Sequence, residues 1–241
     1  MLPLDHIPFQ GPDLPGLAQA FGALGFTVSP RGFYTSPDQP EARWDNHCVF
    51  MDRGWFDLLQ APGAPAAVGP GGALFLTSDL EAAARRLGDM RLATAYRLIR
   101  SRDGEPAHEP FKLFSIRERI APLGLAVIEH AYPCADAMPE WFSHSNTAME
   151  AAGLIFAGAR PGPFAQAAGG ILDLTGFEYW EPNRLREAFG QDVERAVRVR
   201  VASLDAARAA LAGDLVVQES KGRLHVAPPS PLSCGFQFFE A

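Results

Sequence analysis

The chain has 241 residues, of which 47% are hydrophobic and 20% are charged, and its net charge is -7 at pH 7. This composition excludes a disordered tail, a collagen-like repeat and a small disulfide-stapled domain, because a chain of this size and apolar content can bury a core of its own. The Lys and Arg residues form no stripe that could follow a phosphate backbone, so nucleic acid is not an expected partner.

The cysteines and the N-terminus favour an intracellular protein. Cys48, Cys134 and Cys234 lie far apart and in no C-x-x-C spacing, which indicates neither a disulfide framework nor a zinc ribbon. The first residues contain no basic segment followed by an apolar one, and no uninterrupted apolar run reaches the length of about 18 residues that a membrane span needs. We therefore expect a soluble, cytoplasmic protein without a membrane partner.

Residues 1–60 predict one βαβββ unit. Asp13 is the expected cap of its helix, since the carboxylate can accept hydrogen bonds from the amides of the first turn. Leu14, Leu17, Phe21 and Leu24 follow at helical spacing. The strands are predicted at 2–9, 26–29, 46–51 and 55–60, with a Pro- and Gly-containing connection at 30–40.

The same order of elements recurs further along the chain. After a loop rich in Ala, Pro and Gly at 61–72, Asp79 is expected to cap a second helix, and Ser203 is expected to cap the helix of a C-terminal copy. The second unit has predicted strands at 73–77, 96–101, 111–116 and 125–131. The C-terminal unit has predicted strands at 197–202, 215–219, 223–226 and 236–239.

The spacing of the three caps predicts one more unit between 141 and 195. That unit is abbreviated: a strand at 152–157 and part of a helix at 164–168 can be recognised, but 173–187 shows no clear strands. The predicted fold class is therefore α+β with tandem βαβββ modules. We expect modules one and two at 1–133, and the abbreviated third module with the fourth at 134–241.

An ordered set of short segments in the first 150 residues resembles a known family. The segments are Leu-Asp-His-Ile at 4–7, Gly-Ala-Leu-Gly-Phe-Thr-Val at 22–28, Asn-His-Cys-Val-Phe at 46–50, Trp-Phe-Asp-Leu-Leu at 55–59, Ile-Glu-His at 128–130, Pro-Glu-Trp at 139–141 and His-Ser-Asn at 144–146. Together they resemble the glyoxalase-like domain of the vicinal oxygen chelate superfamily, the group of glyoxalases, bleomycin resistance proteins and dioxygenases.

The resemblance implies a fold and a metal site. Its βαβββ modules pair into open half-barrels whose concave face can hold a divalent metal, with ligands from the first and last strands of two modules. Carried onto this chain, the resemblance implies His6, Asp57 and Glu129 as ligands, with no donor near 72–74. One imidazole and two carboxylates suit Mn, Fe, Ni or Zn. No nucleotide-binding motif occurs, so no nucleotide cofactor is expected.

The residues themselves leave an alternative open at each of these positions. Side chains alternate along a strand, so Glu129 and His130 cannot both face one cavity without a bulge. Asp57 stands where Glu is usual in the family and is one methylene shorter. Each carboxylate lies among apolar residues and needs a partner, and pairing with Arg or Lys would make it structural.

Polar residues at the end of the second module are candidates for substrate binding. His130, Trp141, His144 and Asn146 lie where a loop could roof the cavity and offer hydrogen bonds to a carbonyl or a carboxylate. In the last unit, His225 and Glu240 could supply a second, lesser site, although structural roles are the favoured interpretation for them.

Two functions follow as hypotheses. The first is a metal-dependent enzyme of the lyase or isomerase type that acts on a small substrate with two neighbouring oxygens, where Asp57 or Glu129 moves the proton. A ring-cleaving dioxygenase fits less well, because it needs two His and one carboxylate on one face.

The alternative is a metal-free protein that sequesters an aromatic or cationic drug, with 17 Phe and 4 Trp available to line the cleft. Either way the expected partner is a small molecule, and a homodimer remains open.

Overall fold

Two β-sheets carry the fold, and each is built from one half of the chain. The computed structural model describes residues 1–37, 39–60, 68–101, 109–120, 123–131, 137–158 and 168–240. The first sheet contains β1 (Leu4–Gly11), β2 (Gly32–Ser36), β3 (Gln39–Phe50), β4 (Trp55–Gln60), β5 (Gly69–Pro70), β6 (Gly72–Leu76), β7 (Arg91–Arg97), β8 (Ile99–Ser101), β9 (Phe111–Ile120) and β10 (Leu123–His130).

The second sheet and the helices complete the described elements. This sheet contains β11 (Ala148–Ala157), β12 (Phe177–Trp180), β13 (Arg195–Val201), β14 (Val217–Ser220), β15 (Arg223–Val226) and β16 (Gly235–Phe239). The α-helices are α1 (Leu14–Ala23), α2 (Leu80–Leu87), α3 (Pro182–Phe189) and α4 (Leu204–Ala210), and two 3-10 turns lie at Gly88–Met90 and Pro139–Phe142. No helix of the described residues is long and apolar enough to cross a membrane.

The strand order confirms a repeat of βαβββ modules. The first sheet runs β7-β9-β10-β6-β1-β4-β3-β2-β8, with β5 beside β1, and the second runs β12-β11-β13-β16-β15-β14. In each unit the first strand pairs in parallel with the last: β1 with β4, β6 with β10, β11 with β12, and β13 with β16. The predicted fold class is therefore confirmed, whereas the boundary between 133 and 134 stays a prediction.

The three predicted helix caps are confirmed. The side-chain oxygens of Asp13, Asp79 and Ser203 each accept a hydrogen bond from the backbone amide three residues later, at 3.0, 2.8 and 3.2 Å. Such bonds satisfy donors that the first turn of a helix leaves free. The regular spacing of caps in the sequence therefore marks real helix starts.

One apolar core joins the two sheets. The rings of Phe9 on β1 and Phe236 on β16 lie 6.3 Å apart, and Phe21 of α1 packs against both at 5.0 and 5.6 Å. We call the face of each sheet that contributes to this core its inner face, and the opposite face its outer face. Because side chains alternate along a strand, every second residue of these strands lies on the outer face.

The predictions for residues 26–40 need correction. No strand forms at 26–29; there Ser29 bonds to Cys48 of β3 by its amide and its hydroxyl, both at 2.8 Å, without continuing a ladder. The strand lies instead at β2, inside the predicted connection, because residues 32–36 alternate in burial and pair along β3.

Helix α3 was not predicted at all. Leu185 and Phe189 are its buried residues at a spacing of four, and Gly190 ends it at a φ of 71°. It covers the outer face of the second sheet so closely that a Cβ on Gly235 would lie 2.5 Å from the Phe189 ring. The predicted helix at 164–168 lies almost wholly outside the described residues.

The close approach of β11 and β12 makes a testable prediction. A Cβ on Gly176 would lie 2.0 Å from the backbone oxygen of Ala152. Because the contacting atom belongs to the backbone, one of the two chain segments would have to shift. We expect Gly176→Ala to lower the free energy of unfolding by about 2–3 kcal/mol in urea denaturation. Gly213→Ala is the control, since nothing lies within 4 Å of its Cβ position. Equal stabilities of the two variants would contradict the described packing.

Candidate functional site

A cleft of about 620 Å³ opens where strand ends of the two sheets meet. The starts of β1, β4 and β11, the ends of β6 and β10 and the segment before β12 surround it. Its aromatic lining residues are Phe50, Trp55, Phe142 and Phe177. The volume lies within the usual range of small-molecule sites.

A β-bulge places Asp5 in this cleft. Leu4 pairs with Phe75 and His6 pairs with Leu74, so that two residue steps along β1 lie opposite a single step along β6. The extra residue breaks the regular alternation of side chains. The Asp5 carboxylate therefore lies against the His6 ring, although the two residues are neighbours in sequence.

Three nitrogen donors surround the Asp5 carboxylate. Its Oδ2 lies 2.6 Å from Nδ1 of His6, 3.1 Å from Nε2 of His130 and 3.3 Å from Nε1 of Trp55. An ionised carboxylate can only accept hydrogen bonds, so each imidazole carries a proton on the nitrogen that faces Asp5. This assigns Nε2 of His6 and Nδ1 of His130 as the nitrogens that remain for other contacts.

These hydrogen bonds keep Asp5 ionised although it is buried. Burial by itself would raise the pKa of Asp5, but the hydrogen bonds from His130 and His6 outweigh it and hold the pKa well below its ordinary value. A buried carboxylate without such donors would be costly. The floor of the cleft therefore carries a fixed negative charge.

The two histidines bonded to Asp5 have different surroundings. His130 is half-buried and lines the cleft, and the carboxylate fixes the orientation and tautomer of its ring. His6 is only 4% exposed, and its ring stacks on Trp55 with the centroids 4.1 Å apart. His130 can therefore contact a bound molecule directly, whereas His6 supports the aromatic wall.

The remaining charges of the cleft are mainly acidic. Glu150 is neutralised, because its Oε2 accepts hydrogen bonds from Arg53 and Arg200, both at 2.6 Å. Asp52 and Asp173 also line the cleft. With Asp5, they give the cleft a negative field that favours a positively charged ligand.

The structure does not bring the three predicted metal ligands together. His6 and Asp57 share the outer face of the first sheet, as the pairing of β1 with β4 shows, and Asp57 accepts a hydrogen bond from Asn46 at 2.9 Å. Glu129 lies on the opposite face, where its Oε2 accepts the amide hydrogen of Leu80 at 2.7 Å. No group of three His, Cys, Asp or Glu among the described residues is placed to hold an ion, so these donors do not fit the implied metal.

The role of Glu129 has a counterpart in the last unit. Glu240 accepts a hydrogen bond from the amide of Leu204 at 2.7 Å, at the start of α4, as Glu129 does at the start of α2. Both carboxylates sit beside the positive end of a helix. Neither Asp57 nor Glu129, the predicted proton-transfer residues, lines the cleft.

Of the four predicted substrate-binding residues, only His130 lines the cleft. His144 donates from Nε2 to the Phe50 oxygen at 2.6 Å and accepts the Thr27 amide hydrogen at Nδ1, and its burial lowers its pKa. Asn146 is fully buried and donates to the Leu24 oxygen at 2.8 Å. These two residues join the chain after the first sheet to the end of α1 and to β3, which is a structural role.

Trp141 lies behind the aromatic wall rather than in it. Its ring stacks on Phe50 with the centroids 6.1 Å apart, and only 9% of the residue is exposed. The neighbouring Phe142 lines the cleft instead. The predicted roof is therefore made by the 3-10 turn that carries both residues, with Phe142 as the contact.

Sequence reasoning missed Asp5, Phe50 and Phe177 as parts of the site. The Leu-Asp-His-Ile segment contained a signal, because a carboxylate inside an apolar strand requires a polar partner. Regular alternation, however, assigns Asp5 to the face opposite His6. The bulge that overrides it depends on pairing with β6 and cannot be read from β1 alone.

Comparisons with known proteins support the fold. No family model and no curated protein matches the chain. Among solved structures, the 2,3-dioxygenase LapB from Pseudomonas sp. KL28 is similar with a TM-score of 0.56 and 11% identity, covering 99% of this chain and 91% of that one. A catechol 2,3-dioxygenase gives a TM-score of 0.54 and 10% identity, covering 98% and 92%. The chain therefore has the fold of the vicinal oxygen chelate proteins, built from βαβββ modules.

The state of Asp5 predicts a pH dependence of stability. Because the folded-state pKa lies below the ordinary 3.8, the stabilisation by Asp5 is complete above about pH 4 and is lost as the pH falls further. We expect Asp5→Asn to lower the free energy of unfolding at pH 7 by about 2 kcal/mol and to flatten its decline below pH 4.

Urea denaturation at a series of pH values measures both effects. Asp205→Asn is the control, since it removes one carboxylate from an exposed position on α4. If the free energies of unfolding of Asp5→Asn and the wild type decline in parallel throughout the acid range, Asp5 is not held ionised by its neighbours.

Proposed function

We propose that the cleft binds a small, planar aromatic molecule with a positive charge, and that it does so without a metal ion. The observation that carries this proposal is the ionised Asp5, bonded to His130 on the floor of an aromatic-lined cleft. The negative floor favours the charge of the ligand, and the walls favour its apolar body. This is the metal-free binding function expected as the alternative from the sequence.

The aromatic walls suit a planar ligand. The Phe50 ring lies 5.6 Å from both Trp55 and Phe142, at interplanar angles of 30° and 31°. Three rings tilted in this way can stack against a flat molecule and exclude water from it. The ring faces also attract a cation, most strongly at Trp55.

The polar groups suit a hydrogen bond at one end of the ligand. Nδ1 of His130 is the ring nitrogen not used by Asp5, and it can accept a hydrogen bond from an N–H or O–H group. Asp52, at the rim, is exposed and adds attraction for a cation. The ligand is thus expected to pair a cationic or donating group with an aromatic body.

The resemblance implies a more specific function, a metal-dependent lyase or isomerase. The likeness to two proteins named as 2,3-dioxygenases supports the fold of such an enzyme. The predicted donor set does not support it, because Glu129 faces α2 and lies on the opposite face of the sheet from His6 and Asp57. The metal-free function therefore agrees better with the side chains of this chain.

The lack of a suitable donor set among the described residues can be tested with metal. A ligand that binds only the folded state raises the melting temperature by mass action. We expect about 1 mM Mn²⁺ to shift the melting temperature by less than about 1 °C in differential scanning fluorimetry, in the wild type and in His6→Ala alike. A concentration-dependent rise in the wild type that His6→Ala abolishes would restore the metal-dependent enzyme as the leading function.

The proposed ligand class can be tested with a pair of probes of similar shape. We expect N-methyl-4-phenylpyridinium to bind saturably and to quench tryptophan fluorescence, with an affinity at least about tenfold above that of biphenyl-4-carboxylate. Asp52→Asn should weaken the cation about threefold, because it removes one attracting charge from the rim. Asp205→Asn, the matched exposed change outside the cleft, should leave the affinity unaltered.

Two further variants locate the binding. His130→Gln should weaken binding, whereas His47→Gln should not, since His47 is a half-buried histidine of the same sheet that does not line the cleft. Trp55→Phe should remove most of the quenching, and Trp180→Phe should preserve it. Equal affinity for the cation and the carboxylate, or equal effects of the two histidine variants, would count against the proposal.

A further inference from the structure

A second cavity, of about 320 Å³, lies on the outer face of the second sheet, between α3 and β15. It is separate from the cleft, with which it shares no lining residue. The side chains that matter for its chemistry are Trp180, Arg184, Glu187, Lys221, Arg223 and His225.

The cavity is predominantly cationic. Arg184, Lys221 and Arg223 face a single carboxylate, Glu187, among its lining residues. Within the described part of the chain, none of these three cations has a carboxylate oxygen at ion-pair distance, and Arg184 instead lies 3.7 Å above the ring of Trp180. Cationic groups that converge without carboxylate partners create a field that attracts an anion.

A hydrogen-bond network fixes the orientation of Gln237 beneath the cavity. Its Oε1 lies 3.4 Å from Nε of Arg198 and 3.5 Å from a terminal nitrogen of Arg223. Both of these nitrogens are donors only, so the amide oxygen must face them and the amide nitrogen must face the other way. Arg198 is itself paired with Glu178 at 2.8 Å, so it positions Gln237 and does not contribute free charge to the cavity.

The orientation of Gln237 determines the tautomer of His225. The Gln237 amide nitrogen donates to Nε2 of His225 at 3.1 Å, so the proton of the neutral ring is on Nδ1. His225 is 2% exposed, and its Nδ1 has no hydrogen-bond partner among the described residues. A buried N–H donor therefore belongs to a ring that lines a cationic cavity.

The electrostatic surroundings agree with a neutral ring. Burial, and then the charges of Arg223 and Arg184, lower the pKa of His225 to about 4. The ring is thus a neutral donor at physiological pH, and the arginines supply the positive charge. A neutral N–H combined with guanidinium groups is a set of donors that suits an oxyanion.

We propose that this cavity binds the anionic group of a small molecule, a carboxylate or a phosphate, through the Nδ1 hydrogen of His225 and the guanidinium groups of Arg184 and Arg223. The volume leaves room for an organic body beyond the anionic group, since it reaches the lower end of the range for small-molecule sites. Glu187 is at the exposed edge and discourages ligands with a second negative charge on that side.

Isothermal titration of the full chain tests the proposal with three anions and one cation. Phenyl phosphate, benzoate and inorganic phosphate are the anionic probes, and benzylammonium is the cationic one. We expect at least one organic anion to bind with one-to-one stoichiometry and a Kd of about 1 mM or tighter, and benzylammonium not to compete with it. Preference for phenyl phosphate or for benzoate then identifies the anionic group.

Two variants on the same helix provide a matched comparison. Arg184→Gln should weaken the bound anion about tenfold, because it removes a charged donor at the cavity. Arg186→Gln should change the affinity less than about twofold, since Arg186 is also exposed on α3 but pairs with Asp192 away from the cavity. Both positions are exposed, so neither variant is expected to unfold the chain.

Spectroscopy locates the anion at His225. The Nδ1 proton should move downfield in the nuclear magnetic resonance spectrum as the anion saturates the site, because the proton then gains a hydrogen-bond acceptor. Saturating N-methyl-4-phenylpyridinium, the probe of the cleft, should not displace the anion, so this result is independent of the proposed function of the cleft. Three outcomes would overturn the proposal: no saturable binding of any anion, equal effects of the two arginine variants, or a His225 proton that does not respond.

Discussion

The Asp5 carboxylate is the group on which the architecture of the cleft depends. It accepts hydrogen bonds from residues of three strands, namely His6 on β1, Trp55 on β4 and His130 on β10. Those strands belong to both modules of the first sheet, so one buried charge holds the modules in register at the end where the cleft opens. The same bonds orient the Trp55 indole and the His130 imidazole, and these two side chains define one wall and the floor.

The glutamates at the ends of β10 and β16 show why a family resemblance can misplace a site. The resemblance implied a metal at Glu129, yet Glu129 and Glu240 each accept the first amide hydrogen of the helix in their own module. A carboxylate near a helix start is stabilised by the free amides and by the helix dipole, so this position in the repeat has a structural use. Glutamate can also be a metal ligand, but the face of β10 on which Glu129 lies determines its role in this chain.

The sequence predicted those features that depend on local chemistry. The caps at Asp13, Asp79 and Ser203 and the modular order needed only side-chain type and spacing, and both are confirmed. The contact of His130 with the cleft could also be predicted, because strand alternation places His130 on the face of the sheet opposite Glu129. The remaining features depend on tertiary partners: the bulge that turns Asp5 requires β6, and the burial of His144 requires the backbone of Phe50 and Thr27. Helix α3 has local signals in the spacing of Leu185 and Phe189 and in Gly190.

The most direct test of the central role of Asp5 is the protonation pattern of its two imidazole partners. Long-range proton–nitrogen correlation spectra of the ¹⁵N-labelled chain at about pH 7 distinguish protonated from unprotonated ring nitrogens. We predict protons on Nδ1 of His6 and on Nε2 of His130, and the loss of their hydrogen-bonded downfield signals in Asp5→Asn. An unprotonated nitrogen facing Asp5 on either ring would contradict this description, because it would mean that the carboxylate carries the proton or that another group occupies its place.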